Sequence, residues 1–262
     1  MPGILLRIPY IQNKVSEVAT TQLSGHLGVP VKIGNVDIEW FNRLVLEGLY
    51  LEDQDGKVMF EANHVAAGFE IMPLLEGKFV FTTVRLFGFS FNLRKHTPES
   101  PLNLQFVIDA FASKDSIKKE KNIDLRFNSI MIRRGNFSYN VDSEKETPGK
   151  FNAKHIDIKN LSAKISLKAF NKDSVNAHIK KMSFDEASGF SLNKLSLNVV
   201  GNRDSAFVQD FEVRLPQTDL KIGRARIDLS EIDSLPALLN NAPIDLNITP
   251  SQICLKDLSP FV

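Results

Sequence analysis

The segment HIDIKNLSAKISL, His155–Leu167, begins with apolar and polar residues in alternation, as in a half-buried β-strand. Ile156 and Ile158 hold the apolar beat; Lys159 and Asn160 then break it, and the alternation resumes at Leu161, Ala163, Ile165 and Leu167. Strand side chains alternate faces with a period of two. A step of three therefore either is absorbed by a β-bulge or moves the apolar set to the other face.

The same broken beat recurs along the chain. Leu44 and Leu46 are followed by Leu49 and Leu51; Leu86 by Phe89, Phe91 and Leu93; Ile179 by Met182 and Phe184. Leu192 is followed by Leu195 and Leu197, Val208 by Phe211 and Val213, and Ile222 by Ala225 and Ile227. "VKIGNVDIEW" gives Val31 and Ile33, then Val36, Ile38 and Trp40. Short strands joined by two-residue turns are a third reading, but Thr82-Thr83, Lys180-Lys181 and Gln209-Asp210 are poor hairpin turns. A row of bulges across neighbouring strands would curl a sheet into a trough. The pairs Asp142-Ser143, Asp173-Ser174 and Asp204-Ser205 place turns at a regular spacing, with long strands of about 13 residues, about 40 Å, between reversals.

These signals predict a mostly β fold with a few peripheral helices and long antiparallel strands in an extended, curved sheet. Residues 1–28 read as an N-terminal segment with a helix from Pro9 to Leu27, stopped by Gly28. Residues 29–112 read as a β part with short helices at Ile71–Lys78 and Ser100–Phe111, the latter capped by Ser100. Residues 113–122 are a charged linker, and 123–262 are repeated long strands with a short helix expected within Ser230–Asn241. The opening apolar residues Ile4, Leu5, Leu6 and Ile8 read as the tail of a longer apolar run, and the expectation is a membrane anchor of about 20 residues before Ile4. The alternative is an ordinary N-terminus docked on the core.

The chain has 262 residues, 32 basic and 31 acidic, and a net charge of +1, which argues against a nucleic-acid footprint over the whole surface. Its one cysteine, Cys254, excludes an intramolecular disulfide framework. The five histidines are scattered without metal-ligand spacing, and no nucleophile elbow or phosphate-binding glycine loop is present. Acidic residues alternate with apolar ones, as on the solvent side of strands. The reading is a non-enzyme without cofactor or metal. What remains is apolar surface, with 19 phenylalanines against one tryptophan. A curved single-layer sheet cannot cover its own concave face, and an exposed apolar strip marks a membrane, partner or ligand surface.

The stretches RIPYIQNKV, LGVPVKIGNVDIEWFNRLVLEGLYLED, PLLEGKFVFTTVRLFGFSFNL, NLQFVIDAF, DEASGFSLNKLSLNV, LPQTDLKIG and ITPSQICLKDLSPF, in this order, resemble the N-terminal part of the TamB proteins of Bacteroidetes, within the AsmA-like group of envelope proteins. The resemblance implies an inner-membrane anchor followed by a periplasmic β-taco whose apolar groove carries phospholipid acyl chains toward the outer membrane. It also implies an outer-membrane barrel partner in a translocation and assembly module. The rival expectation is a scaffold for assembling outer-membrane β-barrel proteins through exposed strand edges; a third is an adhesin-like solenoid. Candidate groove residues are Phe137, Tyr139, Ile156, Ile158, Ile165, Leu167, Ile179, Phe184, Leu195, Leu197, Phe211, Val213, Ile222 and Ile227, with Lys194 read as outward-facing. Periodicity leaves open which half of each strand faces inward.

Overall fold

The computed structural model describes residues 17, 20–21, 23–40, 42–75, 79–111, 123–170, 174–202, 204–228 and 244–262. Twelve strands form one open, curved sheet. They are β1 (Val31–Lys32), β2 (Asn35–Glu39), β3 (Arg43–Glu52), β4 (Val58–Phe69), β5 (Phe79–Lys95) and β6 (Ile123–Val141). After them come β7 (His155–Phe170), β8 (Ser174–Glu186), β9 (Ser191–Asn202), β10 (Ser205–Arg214), β11 (Asp219–Asp228) and β12 (Ile244–Ile248). From β3 to β12 each strand pairs with the next in sequence, while β1 and β2 both pair with β3. The strands' main contacts are with hydrogen-bonded neighbours, so the sheet is a single layer rather than half of a sandwich.

Antiparallel pairing holds throughout except between β5 and β6, which are parallel. Parallel neighbours need a crossover connection. The chain makes it through helix α2 (Gln105–Phe111) and residues 112–122. The charged stretch at 113–122, itself outside the described residues, thus joins two adjacent strands of one sheet.

β7 runs unbroken through Lys159-Asn160, with Asn160 in the left-handed region at φ 56° and the register to β8 shifting there. β5, β8 and β10 likewise continue through their breaks. Only "VKIGNVDIEW" departs. It divides into β1 and β2 at Gly34, and Trp40 leaves the strand beat, sitting 80% exposed at φ 52° in the turn before β3.

The breaks are aligned. Gly48 lies between the pairs Glu47–His64 and Leu49–Ala62, opposite Asn63. Asn63 in turn faces Gly88, and Gly88 lies beside Arg134. Gly48, Gly88 and Arg134 all have positive φ, between 51° and 61°. Because β3 to β6 each carry the extra residue at the same level, their pairing register passes this line unshifted. Farther along the sheet, Asp210 at φ 52° faces Gly223 in the same way.

Gly28, at φ 70°, closes the N-terminal helix: its N–H donates to the Ser24 carbonyl at 2.8 Å. Residues 17, 20–21 and 23–27 of that helix are described and helical, and the expected anchor lies outside the described residues. Helix α1 spans Ile71–Leu75. The helix expected from Ser100 begins only at Gln105. Ser100 does not cap it; its hydroxyl accepts from the Thr97 N–H. Asn103 holds the intervening residues to the end of β5, accepting from the Arg94 N–H through its side chain and donating its own N–H to the Arg94 carbonyl. The helix expected within Ser230–Asn241 lies outside the described residues. A 3-10 helix, Leu255–Phe261, ends the chain, with Phe261 packed on Phe151 and Phe190.

Candidate functional site

Residues directly opposite one another on neighbouring strands share a face. The registers therefore trace apolar rows across the sheet. One row joins Val36, Leu46, Val65, Leu86, Ile132, Ala163, Met182, Leu195, Val213 and Leu220, each directly opposite the next, from β2 to β11. At about 4.8 Å between strands this is an apolar line about 43 Å long with no polar residue in it. A second row joins Leu44, Ala67, Val84, Ile130, Ile165, Ile179 and Leu197.

Beyond the line of bulges, Leu51, Phe60, Phe91, Phe137 and Ile158 form a third row, and Leu93, Tyr139 and Ile156 a fourth. Phe60, Phe91 and Phe137 stack edge-on in sequence, with ring centroids 5.7 and 6.2 Å apart.

β3 decides between bulge and face change. Leu44 and Leu46 precede its break; Leu49 and Leu51 follow it. All four pack against the same cluster of Val31, Ile33 and Val36, together with Leu23 and Leu27 of the N-terminal helix. In β3 the extra residue is thus absorbed at Gly48 and the apolar side chains stay on one face.

All fourteen candidate groove residues are half-buried. Ile165, Ile179 and Leu197 stand in the second row; Leu195 and Val213 stand in the first. Phe137, Tyr139, Ile156 and Ile158 lie across the bulge line in β6 and β7. Leu167 faces Ala177, Phe184 faces Leu192, Phe211 faces Ile222, and Ile227 faces Ala206. The rows end differently at their two sides. Near β3 the N-terminal helix covers them, whereas Phe184 leads through Phe190 to Phe261 of the 3-10 helix. At the outer edge, Leu246 and Ile248 of β12 are exposed.

From β5 to β8 the other face carries charge, whereas at β3 and β4 it holds the buried Val45 and Ala66. Arg85, Met131, Lys164 and Lys181 follow one another in register, one position along from the first apolar row. Lys194 belongs to this face as expected, but it is bound to the Glu212 carboxylate, which Arg214 also holds at 2.5 Å. The Lys194 hydrogen bond is the main influence that lowers the Glu212 pKa.

Sequence periodicity missed a polar knot at one end of the strands. Asp53, only 2% exposed, is not on the solvent side of a strand. It sits in the β3–β4 turn and accepts from the Asp55 and Lys57 N–H groups, from the Asn103 amide and from Arg94 at 3.0 Å. Burial raises its pKa, but the Asn103, backbone and Arg94 contributions outweigh it, and the net direction is down. Aspartate, asparagine and arginine residues far apart in sequence make this knot, so no local spacing marks it.

Among the described residues no group of histidine, cysteine and carboxylates is placed to hold a metal, and no helix is long and apolar enough to cross a membrane. The fold and the rows define a single-layer β-sheet with one continuous apolar face. Comparison with known proteins finds no matching family model, no matching curated protein and no matching solved structure.

Proposed function

We propose that the apolar face is a conduit for phospholipid acyl chains between the two membranes of a bacterial envelope, supporting outer-membrane integrity. The observation that carries this reading is the unbroken apolar row from Val36 to Leu220. It runs across the strands, the direction in which a sheet of this kind extends, and single-layer construction leaves its side chains half open except at Val36 and Ala163, which are buried. A 16-carbon chain in water costs on the order of 12 kcal/mol at about 0.8 kcal/mol per CH₂. A dry path removes most of that cost while the headgroup stays in solvent. Transport by this route is passive, with direction and energy supplied by other components. The resemblance to TamB proteins supplies the setting: a periplasmic fragment, anchored in the inner membrane in the full-length protein, that meets an outer-membrane barrel partner.

The exposed Leu246 and Ile248 on the end strand β12 favour a second reading, in which the edge pairs with a barrel protein under assembly. Mass spectrometry of lipids extracted from the purified protein separates the two. The conduit reading expects bound phospholipid that is lost in Leu195→Asp and retained in Asn198→Asp. Protein free of lipid in every form supports the scaffold.

A further inference from the structure

We propose that a cavity on the polar face, between β6, β7 and β8, binds a phosphate group carried on an ester. Lys164 and Lys181 stand directly opposite each other on β7 and β8, a like-charged pair that repels. Among the described residues no carboxylate lies within 4 Å of either. Their neighbours across the sheet are treated differently, since Lys194 and Arg214 share Glu212. The chain as a whole is close to neutral, so an unbalanced cluster at one point is a local feature.

Arg134 adds the second observation. It holds φ 51° at the bulge level where the adjacent strand has Gly88 at φ 58°. Glycine takes that conformation freely, whereas arginine is strained in it. The Arg134 guanidinium lies 4.4 Å over the Phe87 ring, on the cavity wall. The cavity, about 590 Å³, is lined by Phe87, Arg133, Arg134, Ser162, Lys164 and Lys181, together with the apolar Met131, Ile132 and Ala163. A phosphate there would meet arginine forks and two lysines, the donor set suited to its oxygens, while the Ser162 hydroxyl accepts from the Arg134 N–H and donates to the Asn160 carbonyl. Phe87 offers a wall for the carbon part of the ester. Lys164 and Lys181 stand one position along from the first apolar row, on the other face, and Ile132 and Ala163 of that row also border the cavity.

Three variants test it: Arg134→Gly, Lys164→Gln and Lys181→Gln. The probes are inorganic phosphate, compared with chloride at matched ionic strength and pH, and phosphatidylcholine vesicles with and without phosphatidylglycerol. Phosphate should raise the thermal midpoint of the parent protein, or the phosphatidylglycerol vesicles should capture it. Each variant should weaken that response at least five-fold. Without a probe, Arg134→Gly and Lys164→Gln should melt at or above the parent temperature, because they relieve strain and repulsion. Protection by phosphate without vesicle capture identifies a soluble phosphoester; capture by anionic vesicles alone identifies a lipid headgroup. Responses equal to chloride and to pure phosphatidylcholine overturn the proposal, as do variants that bind like the parent. A lower melting temperature in Arg134→Gly and Lys164→Gln also overturns it, because these side chains would then be holding the fold.

Discussion

Gly88 and Arg134 lie side by side between the register pairs Phe87–Arg133 and Phe89–Gly135, and both hold left-handed backbone. The two strands are parallel, so the extra residue is matched in direction as well as in level. Gly48 and Asn63 extend the same line through β3 and β4. A bulge bends and twists the strand that contains it. Several at one level bend the sheet along a line without costing the pairing register, and this keeps the apolar rows continuous on both sides of the bend.

Gly88→Ala should therefore destabilise the protein by about 1–2 kcal/mol, the cost of a Cβ in the left-handed region. The added atom would also press on the Asn63 amide. Urea denaturation measures it. A midpoint equal to that of the parent would remove the strained bulge from the account.

Gly135 has a different reason to lack a side chain. A Cβ there would enter the space of the Phe89 ring, which is 5% exposed and lies across it. Gly135→Ala should cost about 1–3 kcal/mol by overpacking. Phe89→Leu in the same chain should recover part of the loss, so the double variant falls short of the sum of the two singles. Strict additivity would mean that the two residues are not in contact.

Asp53 sets an acid limit. Its folded-state pKa lies below the unfolded value of about 3.9, so its stabilising contribution is present above that pH and is lost as pH falls through the folded value. The parent should lose stability from about pH 4 downward, and Asp53→Asn, which cannot titrate, should lose it less steeply. At pH 7, Asp53→Ala should cost about 1–3 kcal/mol by leaving the Asn103 amide and the Asp55 and Lys57 N–H groups without their acceptor, while Arg94 keeps Asp55 at 2.6 Å. Parallel acid limbs in parent and Asp53→Asn would contradict this assignment.

Much of the sheet was legible because each strand carries its own evidence. Ile156, Ile158, Leu161 and Ala163 mark both the strand and its break. Long-range facts were not: nothing local to Phe89 or Gly135 says that β5 and β6 run parallel, and the spacing of Asp53, Arg94 and Asn103 carries no motif. Periodicity also could not separate a bulge from a change of face, because both give a step of three. The contact of Leu46 and Leu49 with one cluster separates them for β3. Trp40 kept the apolar beat yet sits in a turn, since a beat of two cannot show where a strand stops. Lys194 faces the polar side, but its tie to Glu212 makes Lys194→Asp a disruptive change, so Asn198, the residue next to Leu197 on the opposite face, is the better control.

The conduit is tested most directly by placing a photo-crosslinking residue at Leu197 or at Asn198 in the protein in cells. Leu197 ends the second apolar row, and Asn198 points to the other side of the same strand. Irradiation should yield a phospholipid adduct at 197 and none at 198, and Leu195→Asp in the neighbouring row should abolish the adduct while the chain stays folded, because a buried unpaired charge blocks an apolar path. Adducts at 197 that contain only protein, or equal lipid capture at both positions, would contradict the account.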